Sequence, residues 1–138
     1  MTLSPGILPD RALTEAVAQG WIASDKPLET GQIQPASLDL RLARRAWRLR
    51  ASFLPGPAHT VLDCLDEDVV MHELDLEGGA VLETGCVYLA ELQESLSLPN
   101  AVAAFANPKS STGRLDVFTR VIGDQSSAFD QVHAGYQG

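Results

Sequence analysis

The sequence is poor in cysteine, in long apolar runs and, over most of its middle, in positive charge. Cys64 and Cys86 are its only cysteines. They form no C-x-x-C and have no histidine at metal-ligand spacing, which argues against a metal site and predicts two reduced thiols buried in strands. No stretch approaches the ~20 apolar residues of a membrane span. The N-terminus MTLSPGILPD also lacks the basic and apolar regions of a signal peptide, so the expected compartment is the cytoplasm. Lys and Arg are absent from Ala51 to Pro108. With a net charge of −8 and a pI near 4.7, the chain has no basic field for nonspecific attraction to nucleic acid or an anionic membrane. His59, His72 and His133 supply neither the H-x-E nor the P-C-x-x-C of a zinc nucleobase deaminase. G-x-S-x-G and G-x-G-x-x-G are missing too, which removes the sequence support for a hydrolase triad or a dinucleotide fold.

What is present fits one soluble domain over residues 1–138: the 138 residues are 45% apolar and 20% charged, enough for one core and too few for two. Leu13, Val17 and Trp21 recur at four-residue spacing. With Pro9 and Asp10 at the start and Gly20 as a stop, they predict a helix from Pro9 to Gln19. The polar SDKPLETGQIQP that follows reads as a loop. From Ala36 the texture changes to short runs of near-alternating polarity. Ser37 to Leu42, AWRLR after a break at Arg44–Arg45, TVLDCL, HELDL, CVYLAEL, ESLSLP, AVAAFA and LDVFTRVI are strand-length, and EGG and ETG are turns. This predicts an all-β barrel or sandwich carrying an N-terminal helix.

The cations that remain are clustered. Arg41, Arg44, Arg45, Arg48 and Arg50 crowd one short run, which in an acidic chain reads as a solvated strand face or a subunit contact. Lys109, Arg114 and Arg120 form a second group around NPKSSTGRLDVFTR. The PKSSTGR segment is not the phosphate loop G-x-x-x-x-G-K-[ST], which needs a glycine ahead of the lysine and a helix after it, whereas both flanks here read as strands. It still carries phosphate-binding chemistry: Lys109 as a point charge, Ser110 and Ser111 as hydroxyl donors, Gly113 for close backbone approach, Arg114 as a fork. From composition alone, a solvated hairpin turn with incidental charges accounts for it equally well.

Four separated segments, GILPDRALTEAVAQGWI, QIQPASLDLRL, LSLPNAVAAFANPKSSTGRL and VHAGYQG, jointly resemble the dCTP deaminase family of the dUTPase-like superfamily. The resemblance implies a distorted β-barrel assembled as a homotrimer with active sites at subunit contacts. It also implies a substrate, dCTP, that carries Mg²⁺ on its phosphates, and a reaction without zinc. The products are dUTP and ammonia, in the supply of precursors for dTTP, with dTTP a possible regulator that the same site would recognise. The alternatives are a dUTP diphosphatase, a bifunctional deaminase and diphosphatase, or a noncatalytic nucleotide-binding module.

Carried over by position, Ser110 matches the family's catalytic serine and Arg114 the arginine that organises the catalytic water and carboxylate. Ser111 and Lys109 match phosphate-binding positions, with lysine where many members have arginine, so that charge is kept and the fork is lost. Asp39 matches the first-motif aspartate near the metal-bound phosphates. The backbone of Val121, Ile122 and Gly123 matches the part that reads the cytosine edge, and Tyr136 the aromatic that packs on the deoxyribose. His133 stands where dUTPases and many deaminases carry an aspartate, which weakens a pyrophosphatase reading. The family's catalytic glutamate falls on the strand just after GYQG. Ending at Gly138, these residues would form a first copy of the fold without its last strands and general base, inactive by itself unless Asp116 or Asp130 served instead.

Overall fold

The computed structural model describes residues 5–138. The first element is α1, Asp10–Ala18, flanked by extended Pro9 and by Gln19, in agreement with the helical spacing. Leu13 N–H donates to Pro9 O and Trp21 N–H to Ala16 O. Gly20 then takes φ +74, a left-handed conformation that glycine adopts without a Cβ penalty and that ends the helix. Ala16, 2% exposed, marks the face of α1 that packs on the first strands.

Those strands are short. β1 (Ile22–Ser24) ends at the first residue of the polar stretch read as loop, and β2 (Ile33–Gln34), inside that stretch, pairs with β3 (Ser37–Leu38) around a tight turn. β4 (Leu42–Leu49) runs through Arg44 and Arg45 without the expected break. The irregularity appears instead as a shift of register against β6 between Leu42 and Ala46. β5 (Val70–Asp75) and β6 (Val87–Leu92) flank β4 as an antiparallel three-stranded sheet. β7 (Glu94–Leu96) pairs with β1, and β8 (Ala104–Phe105) with β9 (Gln131–Val132). Between β8 and β9 lies α2, one turn from Ser110 to Gly113. The class is mainly β with an N-terminal helix, as expected. The described residues form four separate antiparallel sheets and do not close into one barrel.

Two strand expectations fail. TVLDCL forms a 3₁₀ turn at Leu62–Cys64, because the Asp63 carboxylate accepts from Thr60 N–H and Asp63 N–H donates to Thr60 Oγ1, a local bond that competes with a ladder. Cys64 therefore lies in that turn and Cys86 just ahead of β6. Both are free thiols, partly exposed rather than buried in strands. LDVFTRVI forms no strand: Asp116 turns left-handed at φ +57, and Leu115 and Phe118 face solvent at 76% and 94% exposure.

The three-stranded sheet explains the uneven charge. Arg44 reaches Asp75 at 2.5 Å and Glu77 at 3.0 Å; Arg45 reaches Glu73 at 3.1 Å and Glu91 at 3.4 Å. The Arg run on β4 thus lies between two acidic neighbours, as a strand face saturated by carboxylates. Each exposed pair contributes little, because solvent screens it. Beneath them Ala46, Trp47 and Leu49 are at most 5% exposed, and it is this apolar burial that anchors β4. No helix among the described residues is long and apolar enough to cross a membrane.

Candidate active site

The cationic segment is held from behind by the β8–β9 pair. Ala104 opposes Val132, Phe105 opposes Gln131, and Ala106 N–H continues the ladder to Asp130 O at 2.9 Å. Pro108 disfavours a helical Asn107. Lys109 is extended at ψ 133, and its carbonyl accepts from Thr112 N–H at 3.0 Å. The segment is thus a one-turn helix rather than the hairpin turn expected from its flanks. Arg114 N–H donates to Ser110 O at 3.1 Å, so Ser110 and Arg114 lie four residues apart on one face of the turn.

Lys109 Nζ donates to Asp39 Oδ2, an ion pair between residues 70 positions apart. The structure thereby brings together the two charged residues that separate motifs assigned to the phosphate end. Of the second basic group, Arg120 is held by Asp130 at 2.5 Å, while Arg114 has no carboxylate partner among the described residues.

The Val121–Gly123 segment and Tyr136 also meet. The Tyr136 hydroxyl accepts from Asp124 N–H at 3.0 Å, and a Cβ on Gly123 would lie 3.2–3.4 Å from the Tyr136 ring and hydroxyl. Tyr136 is 8% exposed; burial pushes its phenol up from the ordinary value of 10.0 and keeps it protonated. Gly135 precedes it at φ +78, where a side chain would collide with Asn100, which accounts for the glycine in HAGYQG. His133 lies edge-on to Tyr136, ring centres 5.4 Å apart.

Asp130 ties the two clusters together. Its carbonyl binds Ala106, its N–H donates to Val121 O at 2.8 Å, and its Oδ1 accepts from Val121 N–H at 2.8 Å. Both Asp130 oxygens are engaged, one by Val121 and one by Arg120, so its carboxylate is a backbone clamp and a poor replacement base. Its position at φ +63 leaves no hydropathy signal.

The model of the family described as 2'-deoxycytidine 5'-triphosphate deaminase (DCD) N-terminal domain matches residues 4–138. The chain belongs to the dCTP deaminase family. Among the family's curated members, "dCTP deaminase, dUMP-forming" of Methanoculleus marisnigri is 36% identical over 80% of this chain and 57% of its own length. The protein of the same name from Sulfurihydrogenibium is 30% identical over 96% of this chain and 67% of its own. The crystal structure of the 2'-deoxycytidine 5'-triphosphate deaminase from Agrobacterium tumefaciens is 55% identical with a TM-score of 0.92, covering 96% of this chain and 39% of that one. The chain thus spans little more than half the length of the Methanoculleus relative and well under half of the Agrobacterium chain.

The Asp39 segment between β3 and β4 rests on a buried polar group that sequence reading passed over. The Glu94 side chain is 1% exposed. Burial pushes its carboxyl up, but bonds from Arg41 N–H, Arg41 Nε and Gln32 together outweigh this and hold it below the ordinary value of 4.5. A carboxyl depressed in the folded state adds stability that is fully present above its unfolded value and lost as pH falls through the folded one. The thermal midpoint should therefore fall as pH drops below the ordinary glutamate value of 4.5, and Glu94→Gln should flatten that fall. A variant with the same slope as wild type would contradict the assignment.

Proposed function

We propose that the full-length protein deaminates dCTP, adding water at C4 of the cytosine and releasing ammonia. The observation that carries this is the Lys109–Asp39 pair beside Ser110, which sets a cation for phosphate and a carboxylate for a phosphate-bound cation at one point. Lys109 and Ser111 receive the triphosphate. Mg²⁺ takes oxygen ligands, keeps several waters and needs only one or two carboxylates when it arrives on phosphates. A lone Asp39 fits that demand, and the ion would neutralise the triphosphate there. Lys109 and Asp39 then exchange each other for phosphate and metal when nucleotide enters. The Val121–Gly123 backbone reads the cytosine edge, and Tyr136 supports the deoxyribose side.

At the reacting carbon, the Ser110 hydroxyl and the Arg114 guanidinium are fixed dipole and charge for the oxygen and nitrogen on which charge develops. The proton of the attacking water goes to a carboxylate and returns to the departing amine. The family resemblance assigns that role to the glutamate on the strand after GYQG. Phe105, Leu115 and Phe118, 76–94% exposed on either side of α2, support the expected homotrimer in which a second copy covers this rim and the sheets complete a distorted barrel. dTTP, with the same triphosphate, would compete for the same cations.

Two product readings have support. His133 in place of an aspartate favours dUTP, because a water that cleaves pyrophosphate lacks that carboxylate to orient it. The relatives' printed names favour dUMP, which requires loss of pyrophosphate as well. Incubating full-length protein with dCTP and Mg²⁺ decides between them. Equal dUTP and ammonia without pyrophosphate is the expected result; dUMP with pyrophosphate establishes the second reading, and no ammonia overturns both.

A further inference from the structure

Glu94 opens β7 with both carboxylate oxygens engaged. Oε1 accepts from Gln32 Nε2 at 2.7 Å and Arg41 Nε at 2.8 Å, and Oε2 from Arg41 N–H at 2.8 Å. Gln32, 5% exposed, spends its other Nε2 hydrogen on Asp39 O at 2.9 Å. Its own carbonyl accepts from Asp39 N–H at 3.0 Å. The Asp39 backbone is thus gripped at N–H and C=O by one buried residue. Two residues on, Arg41 is gripped by Glu94, and its guanidinium also binds Ser24 Oγ, Lys26 O and Pro27 O.

Stability alone is a weak reason for this network, since a buried ion pair often does no better than apolar residues of equal volume. Nor does the Lys109–Asp39 pair fix its own place: at 63% and 33% exposure it is worth little. What the network does that an apolar cluster would not is hold the Asp39 main chain at a set point in the bend between β3 and β4, with its carboxylate toward Lys109.

We propose that Glu94, acting through Gln32 and Arg41, is a positioning residue that fixes Asp39 for the Mg²⁺-bearing triphosphate. The proposal rests on the phosphate-end reading of Asp39 given above. Its first variant is Gln32→Met, which keeps the buried volume, the Glu94–Arg41 pair and the main-chain bond from Asp39 N–H, and removes the side-chain bonds to Asp39 O, Glu94 and Glu29 N–H; Glu94→Gln is the second. In full-length protein, each should raise KM for Mg²⁺·dCTP about tenfold with kcat within about threefold, the signature of lost binding shared by ground and transition states. Because the route runs through Asp39, adding Gln32→Met to Asp39→Asn should change KM less than about twofold, a strong departure from independent effects.

A lower melting point with wild-type KM would make the network merely structural and overturn the proposal. So would single-variant effects that multiply in the double variant. If the wild-type protein releases no ammonia from dCTP, the deamination reading falls by itself. Calorimetry with Mg²⁺ and inorganic tripolyphosphate then reads the positioning claim separately: Gln32→Met should bind about tenfold more weakly, and equal affinity would overturn it.

Discussion

Replacing Ser110 by alanine in the full-length protein should cut dCTP turnover by a factor on the order of 10² or more, the usual loss when one preorganised donor is taken from developing charge. Ser110 is exposed at the start of α2. Its carbonyl, not its hydroxyl, closes the turn with Arg114 N–H, and alanine is a better helix former than serine. The fold should therefore be indifferent to the change. The triphosphate contacts of Lys109 and Ser111 remain, so KM should stay near wild type while kcat collapses. Steady-state ammonia release measures this, and a wild-type kcat would contradict the role given to Ser110.

Arg114→Ala should be comparably severe, lowering kcat by about 10²–10³ with the melting temperature nearly unchanged. The two halves come from one observation. Arg41 is spent on Glu94, Arg44 and Arg45 on acidic residues beside β4, Arg48 on Glu83 and Arg120 on Asp130, whereas Arg11 and Arg50, like Arg114, have no carboxylate partner among the described residues. Arg114 stands exposed at the end of α2 with no carboxylate partner among the described residues, so little folding energy depends on it. It is one helical turn from Ser110. Arg114→Lys should restore only part of the rate, because an ammonium keeps the charge and loses the planar fork. Thermal unfolding beside kinetics separates the cases: a large fall in melting temperature with modest loss of kcat would make Arg114 a structural residue.

The N-terminal helix and β4 were legible because a periodic apolar stripe was also a burying stripe. LDVFTRVI shows the opposite case. Its alternation promised a strand, but a strand needs a partner, and the left-handed Asp116 turns the chain before one is met. TVLDCL failed to a local Thr60–Asp63 exchange. At the candidate site, motif resemblance nominated Asp39, Lys109, Ser110, Ser111, Arg114, Val121–Gly123 and Tyr136. The structure joins Asp39 to Lys109 and Tyr136 to Gly123, pairings that no spacing along the chain could reveal. Gln32 and Glu94 were invisible for a related reason: a polar residue reads as solvated until its partner, 62 positions away in the Gln32–Glu94 bond, is known to cover it. Arg41 was read as one more member of a surface run, although it is the arginine whose charge is turned inward.

The one-turn helix after Lys109, with Asp39 opposite, is proposed to receive the triphosphate end of dCTP. A crystal structure of the full-length Ser110→Ala variant soaked with dCTP and Mg²⁺ tests it most directly. Phosphate oxygens are expected on Lys109 and Ser111, the metal beside Asp39, the Lys109–Asp39 pair opened, and the cytosine edge against Val121–Gly123. Phosphates bound elsewhere, with Lys109 still paired to Asp39, would contradict it.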